Sequence, residues 1–243
     1  MERIIQSKRS VIVAADVESL DDLQNLSEAV SGVPGISGTK LGFALAWQDL
    51  SAAVDIAKHY VDGPVIYDHQ KGGNDIPKIG AVFARGLKAA GVDAAILFPF
   101  AGPATQEAWT KACFDTGLQV FTGGIMTHPQ FLVSEGGYVA DEAVKRIYFN
   151  ACDWGVRHFV VPGTKLDWVK RIRSWLVEKL GEGNFVPYAP GFITQGGDIS
   201  ECGQETGDEW HAIVGEAIYG KLTRELQRQA AIAVTSQIAA ARV

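Results

Sequence analysis

The sequence predicts a (β/α)8 barrel, the TIM barrel, as a single domain spanning residues 1–243. Three observations predict it. Eight short apolar or β-branched runs can be counted, longer amphipathic stretches separate most of them, and polar or charged residues follow several of the runs. A barrel of this kind takes about 250 residues, which matches the length of the chain. The alternative is an open doubly wound sheet, but no glycine-rich dinucleotide turn follows the first run.

The predicted strands are continuous apolar runs, because a parallel strand is buried on both faces. They cover residues 11–15, 35–41, 65–67, 94–98, 118–122, 158–161, 185–188 and 212–214. Helical spacing of apolar residues follows most strands, as at Leu20, Leu23 and Leu26 after the first. The predicted helices cover residues 19–30, 44–60, 76–90, 104–116, 140–154, 166–180 and 223–241. A long glycine-rich loop, 190–198, follows strand seven.

The composition limits the functions that such a barrel could have. A net charge of -6 and a pI near 5.4 exclude a general nucleic-acid binder, although they allow a phosphorylated small molecule as substrate. Three cysteines without metal-ligand spacing predict reduced thiols. The amino terminus lacks an apolar signal core, and no window approaches the roughly 18 apolar residues of a membrane span. We therefore expect a cytoplasmic enzyme without a membrane partner.

The segment 65–77 carries the densest group of charges at a strand end. Its strand is followed at once by Asp68, Lys71 and Asp75, and two glycines interrupt regular structure between the lysine and the last acid. Asn74 or Asp75 is expected to cap the next helix, which begins near Pro77 because proline is tolerated in a first turn.

Charges also end the first two predicted strands, at Asp16 and Lys40. In a barrel the carboxyl ends of the strands meet at one mouth, so we expect Asp16, Lys40, Asp68 and Lys71 to converge there. Any one of them alone would be interpreted as an exposed charge or a strand-end salt bridge. Lys40, Asp68, Lys71 and Asp75 together predict a network of alternating sign, in which each charge offsets the burial of its neighbours.

Four motifs together resemble the orotidine 5′-phosphate decarboxylase family over nearly the whole chain. They are the Asp-x-x-Lys-x-x-x-Asp-Ile-Pro run from Asp68 to Pro77, the strand-two Lys40, the segment Met126-Thr127-His128-Pro129, and the Pro-Gly-(x)3-Gln-Gly-Gly-Asp run from Pro190 to Asp198. The commoner family spacing, Asp-x-Lys-x-x-Asp, is one residue shorter in each gap.

The resemblance implies conversion of orotidine monophosphate to uridine monophosphate and CO2, a step of pyrimidine biosynthesis, without a cofactor or metal. Charge placement must then stabilise a carbanion at pyrimidine C6. By the family pattern Lys71 protonates C6, Asp68 lies beside the substrate carboxylate, and Lys40 holds the network and contacts the ribose. Asp75 and Ile76 come from a neighbouring subunit, which implies a homodimer with shared active sites.

The resemblance also assigns substrate contacts. Asp16 matches a ribose-hydroxyl acceptor, although an aspartate there could instead cap the following helix. Thr127 matches the residue that binds the pyrimidine edge. Gln195 matches a side chain that links base and phosphate from a closing loop, which begins at Pro190, and Gly215 matches a phosphate-binding backbone amide.

Glu216 departs from the family pattern, which has arginine after Val-Gly. A carboxylate facing a phosphate dianion is unfavourable, and a bidentate guanidinium contact is lost. Three explanations are open. Glu216 points away while Lys165, Lys221 or Arg224 binds the phosphate; the substrate is bound weakly; or the substrate differs.

Two other functions stay open at this stage. One is a related sugar-phosphate barrel, of the 3-keto-gulonate phosphate decarboxylase or hexulose phosphate synthase type, which requires magnesium. The other is a catalytically silent nucleotide-binding barrel, supported only by Glu216. We expect no metal site at His69 and His128, because no third ligand lies at suitable spacing.

Overall fold

A computed structural model describes residues 3–69, 72–192 and 196–240, with side chains through residue 238. Its strands form a closed parallel barrel in sequence order, in which the first strand pairs with the eighth. The strands are β1 (Arg9–Ala15), β2 (Ile36–Gly42), β3 (Val65–Asp68), β4 (Ala94–Leu97), β5 (Gln119–Gly123), β6 (His158–Val160), β7 (Val186–Pro190) and β8 (Trp210–Val214). The predicted fold class is confirmed.

The helices surround the barrel. They are α1 (Leu20–Val30), α2 (Phe43–Tyr60), α3 (Gly80–Ala89), α4 (Pro103–Asp115), α5 (Asp141–Asp153), α6 (Leu166–Leu180), α7 (Ile199–Thr206), α8 (Glu216–Tyr219) and α9 (Arg224–Ala240). Single 3-10 turns at Pro77–Ile79 and Val133–Glu135 precede α3 and α5. No helix in the described ranges is long and apolar enough to cross a membrane.

Strand alternation determines which side chains face the barrel interior. On β1, Ile12 and Ala14 point inward and pack in the inner core, whereas Val11 and Val13 pack outward with the helices. The strand register places Lys40 of β2 beside Ala14 and beside Ile66 of β3. Side chains two residues further along β1 and β3 therefore face the barrel mouth.

Most element boundaries differ from the predicted ones by one or two residues, but two helices were not predicted. The α7 sequence is short and polar, with few apolar positions, and its start is fixed by Asp198, whose carboxylate accepts from the amides of Ser200 and Glu201. The four-residue α8 is too short to show helical spacing.

The predicted cap near Pro77 is also wrong. The Asn74 side chain instead accepts a hydrogen bond from the Phe100 amide at 2.7 Å, and the Asp75 carboxylate accepts from the adjacent Ile76 amide at 2.6 Å. The turn begins at Pro77 without a side-chain cap. Asn74 therefore ties the strand-three loop to the strand-four loop.

A polar layer lies at the amino-terminal end of the barrel interior. The Ser10 hydroxyl contacts the Ser37 hydroxyl and, at 2.7 Å, Nδ1 of His211, while the Tyr188 hydroxyl lies 3.1 Å from Nδ1 of His158. Burial lowers the pKa of His158 to about 4. Burial, with a further contribution from His158, lowers the pKa of His211 to about 3. Both imidazoles are therefore neutral at pH 7.

Candidate active site

A cavity of about 560 Å³ opens at the carboxyl ends of the strands. Loops after β1, β5, β6, β7 and β8 contribute to its wall, as expected for the mouth of a (β/α)8 barrel. Seven of the predicted site residues line it, namely Asp16, Lys40, Asp68, Thr127, Pro190, Gly215 and Glu216. The fold therefore brings these seven residues together at one mouth of the barrel.

Lys40 is the centre of the charge network in this cavity. Its Nζ lies 2.8 Å from Asp16 Oδ1 and 3.3 Å from Asp68 Oδ2. The lysine and Asp68 side chains are only 7% and 8% exposed, whereas Asp16 is 47% exposed. Burial alone would lower the pKa of Lys40, but the two carboxylates outweigh it and raise that pKa above its usual value. Lys40 is therefore a charged ammonium held between two acids.

Asp16 accepts from this ammonium, and the capping alternative is wrong. Ser19 is the N-cap of α1, where its hydroxyl accepts from the Asp22 amide at 3.1 Å. Gly42 leaves the space that the Asp16 carboxylate occupies, because a Cβ at that position would lie 2.7 Å from Oδ1. The end of β2 thus supplies both the lysine and the room for its partner.

Asp75 and Ile76 do not reach this chain's own cavity. Both are exposed and lie on a turn held against α4. The Thr105 hydroxyl donates to the Asp75 carbonyl at 2.9 Å, and the Trp109 indole donates to the Ile76 carbonyl at 3.2 Å. Within one chain, Asp75 is therefore not part of the network around Lys40. The predicted Lys71 and Gln195 lie outside the described residues.

The segment after β5 forms one wall of the cavity. Met126, Thr127, His128 and Pro129 line it, which matches the motif singled out in the sequence. The Thr164 hydroxyl, from the loop after β6, donates to the Thr127 carbonyl at 3.4 Å. The backbone of Thr127, the residue predicted to bind a pyrimidine edge, is thus tied to the neighbouring loop after β6.

The start of the glycine-rich loop after β7 is packed against the barrel. Phe192 is buried, its ring centroid 6.1 Å from that of Trp210, and the Gly197 amide donates to the Gly191 carbonyl at 3.2 Å. Gly191 has φ of 103°, which favours glycine. Pro190, Gly191 and Phe192 therefore form a packed part of the cavity wall.

Gly215, Glu216 and Tyr219 form the wall after β8. Burial, and then the nearby Asp16 and Glu216 carboxylates, raise the pKa of Tyr219, while Lys40 opposes them. Tyr219 packs so closely on Gly215 that a Cβ there would lie 3.1 Å from the ring. Tyr219 was not predicted, because the four-residue α8 that carries it is too short to show helical spacing in the sequence.

The three basic residues considered as replacements for the missing arginine do not line the cavity. Lys165 binds Glu135 at 2.6 Å, and Arg224 forms an ion pair with Glu28. Lys221 lies with Arg224 beside a separate depression. Glu216 itself is exposed on the cavity wall. Among the described lining residues, Lys40 is the only lysine or arginine, and two aspartates already hold it.

Fold and site together define a (β/α)8-barrel protein with a buried lysine between two aspartates at its mouth. No family model matches the chain. The chain is nevertheless similar to curated proteins. It is 29% identical over 240 residues to the orotidine 5′-phosphate decarboxylase of Methanosarcina barkeri, and the match covers 97% of each chain. It is also 29% identical over 234 residues to the orotidine 5′-phosphate decarboxylase of Methanosarcina mazei, covering 95% of each.

Solved structures agree with this relationship at the level of the fold. The orotidine 5′-monophosphate decarboxylase of Methanocaldococcus jannaschii, complexed with the inhibitor BMP, superposes with a TM-score of 0.81 at 20% identity over 96% of this chain and 99% of its own. The Pyrococcus horikoshii OT3 enzyme gives 0.76 at 24% identity over 94% and 99%. The chain is thus a full-length relative of the orotidine 5′-phosphate decarboxylases, and the predicted resemblance is confirmed.

Proposed function

We propose that the chain is an orotidine 5′-phosphate decarboxylase, a carboxy-lyase that converts orotidine monophosphate to uridine monophosphate and CO2. The observation that carries the proposal is the Asp16–Lys40–Asp68 arrangement at the barrel mouth, with N–O distances of 2.8 and 3.3 Å, in a chain whose full-length relatives bear that name. A buried ammonium between two carboxylates provides fixed charges where a carbanion must be stabilised.

In this proposal the network divides the chemistry among its members. Loss of CO2 leaves an electron pair at C6, and the Lys71 ammonium stabilises that pair and then donates a proton to it. Asp68 faces the substrate carboxylate, and Lys40 pairs with Asp68 while it contacts the ribose with Asp16. No electron acceptor is needed, because the pair that leaves the C–CO2 bond ends in the new C–H bond.

We further propose that the working enzyme is a homodimer with shared sites. Asp75 and Ile76 are exposed and absent from their own cavity, and Ile76 is an apolar side chain with 51% exposure. A turn anchored on α4 is a stable platform from which these two residues reach a partner's cavity. The cytoplasm is the proposed location, in keeping with three free, buried cysteines.

The test is the loss of orotidine monophosphate absorbance with purified protein, from micromolar to millimolar substrate, with and without a chelator. Lys71→Ala protein, purified identically, controls for contaminating host enzyme. Chelator-resistant turnover by the wild type alone supports the proposal. Absence of turnover at every concentration refutes it, and the sugar-phosphate substrates with magnesium are then assayed on the same preparation.

A further inference from the structure

The segment that follows β5 has two parts with different roles. Residues 125–129 line the cavity, and residues 131–139 form a compact loop beside it. Gln130 separates them with a left-handed φ of 58°. The loop closes on itself through the Gly137 amide, which donates to the Leu132 carbonyl at 2.7 Å, and Leu132 is fully buried. The compact loop therefore follows the lining residues directly in the chain and is closed by its own backbone hydrogen bond.

Glu135 organises this loop through both carboxylate oxygens. Oε2 accepts from the backbone amides of Phe131 at 3.1 Å and Leu132 at 3.4 Å. Oε1 accepts from Nζ of Lys165 at 2.6 Å. Burial by itself raises the pKa of Glu135, but these hydrogen bonds outweigh it and lower the pKa below its usual value. The carboxylate is thus ionised and engaged on both sides.

Lys165 belongs to a different loop, the one between β6 and α6, and it is the N-cap residue of α6. Its side chain is 16% exposed and that of Glu135 is 26% exposed, so solvent screens their contact less than it screens an exposed pair. The preceding Thr164 makes a second contact to the same segment, at the Thr127 carbonyl. Two consecutive residues of one loop therefore contact the two parts of the segment after β5, Thr164 at the lining residues and Lys165 at the 131–139 loop.

We infer that Lys165 and Glu135 are positioning residues, whose ion pair fixes the 131–139 loop to the start of α6 and thereby holds Thr127 and His128 in the cavity wall. Active-site residues act only when a supporting shell holds them within a fraction of an ångström. This role also explains why Lys165 is absent from the cavity although the loop that carries it borders it. The kinetic consequence rests on the function proposed above.

An ordinary pair on the same helix provides the comparison. Lys170 lies 3.3 Å from Glu205, and the two side chains are 53% and 30% exposed. Neither Lys170 nor Glu205 lines the cavity, and Glu205 lies on α7. Removing this contact deletes a lysine from α6 without altering the loop after β5, which makes Lys170→Met the matched control for Lys165→Met.

Hydrogen exchange measured by mass spectrometry tests, in the absence of substrate, whether the Lys165–Glu135 ion pair fixes the 131–139 loop. In Lys165→Met the peptides covering 125–139 should exchange at least tenfold faster, because Glu135 loses its charged partner. Lys165→Arg should restore protection and Lys170→Met should leave it unchanged. Unchanged exchange in Lys165→Met overturns the inference, whatever the protein's activity. Should that variant fail to fold, Glu135→Gln tests the same contact with the same expectations.

Turnover of orotidine monophosphate tests the consequence for the site. Lys165→Met should raise KM about tenfold while kcat changes less than threefold, since residues 125–129 are the part expected to contact substrate and the charge network stays intact. Lys165→Arg should rescue KM. Faster exchange with an unchanged KM overturns the positioning role. If the wild type does not turn over this substrate, the proposed function is refuted instead. The exchange result alone then tests whether the Lys165–Glu135 ion pair fixes the loop.

Discussion

Glu216→Arg is expected to strengthen binding of orotidine monophosphate. The wild-type wall after β8 presents a carboxylate where the family pattern has arginine, and neither Lys165 nor Arg224 compensates, because each is paired elsewhere. The substitution reverses the charge that faces the phosphate. KM should therefore fall, whereas kcat should change little, because Asp16 and Asp68, and not Glu216, are the acids paired with Lys40.

The size of the effect follows from the exposure of Glu216. Two unit charges at a contact distance of about 4 Å interact by about 1 kcal/mol in water. A two-unit change against a phosphate dianion corresponds to about 4 kcal/mol, and salt and solvent at an exposed site reduce this to roughly 2 kcal/mol. KM should fall about 30-fold. Glu216→Gln removes only the repulsion, so its KM should fall about fivefold.

Steady-state kinetics at 50 mM and 500 mM salt measure both changes. Asp55→Arg is the control for net charge, because Asp55 is exposed on α2 and does not line the cavity. Its KM should equal that of the wild type. The advantage of Glu216→Arg should shrink at high salt, since screening weakens the contact. An unchanged or raised KM in Glu216→Arg would refute the placement of the phosphate on this wall.

Three further predictions concern the proposed chemistry and the barrel interior. Lys71→Ala should lower kcat roughly 1,000-fold or more while the circular dichroism spectrum stays unchanged, and a loss of only a fewfold would remove Lys71 as proton donor. Mixing inactive Lys71→Ala and Asp75→Ala proteins should restore activity through heterodimers, and no recovery despite demonstrated subunit exchange would count against shared sites. The third concerns pH. His158 and His211 have pKa values of about 4 and about 3 in the folded state against 6.5 unfolded, so the unfolded chain binds more protons below pH 6.5 and stability falls as pH falls. By pH 4, His158 alone should cost roughly 3 kcal/mol, and denaturant melts should show the decline already between pH 6.5 and 5, above the range of most carboxylates. A flat profile in that window contradicts it.

The sequence predicted the barrel because both of its signals are local. Apolar runs and helical spacing can be recognised without knowledge of tertiary contacts. At α6, for example, the predicted bounds of 166 and 180 match the structure. The signal fails where tertiary contacts create the element. The α7 helix has few apolar positions and depends on the Asp198 cap, and the four residues of α8 are fixed by their place after β8.

The site was predictable to the extent that strand ends alone determine it. Asp16, Lys40 and Asp68 lie at the carboxyl ends of neighbouring strands, so a correct strand order brings them together. Three-dimensional packing determines which acid a lysine binds, and the spacing of the two residues along the chain does not indicate this partner. The Lys165–Glu135 contact joins two loops 30 residues apart, and no local pattern indicates such a partner.

The polar layer at the amino-terminal end of the barrel interior, whose side chains are uncharged at pH 7, affects the electrostatics of the whole site. Lys40 and Asp68 are the only buried lysine, arginine, aspartate or glutamate side chains among the described residues, and the buried imidazoles of His158 and His211 are uncharged at pH 7. Because the described side chains of this layer carry no charge at pH 7, they do not offset the field that the Lys40 ammonium and its acids produce toward the open end of the barrel. A substrate that enters there meets that field from one direction only. The uncharged layer thus leaves the electric field of the site to be set by residues at the mouth. Substitutions in the loops at the mouth can therefore change that field without changing the barrel interior.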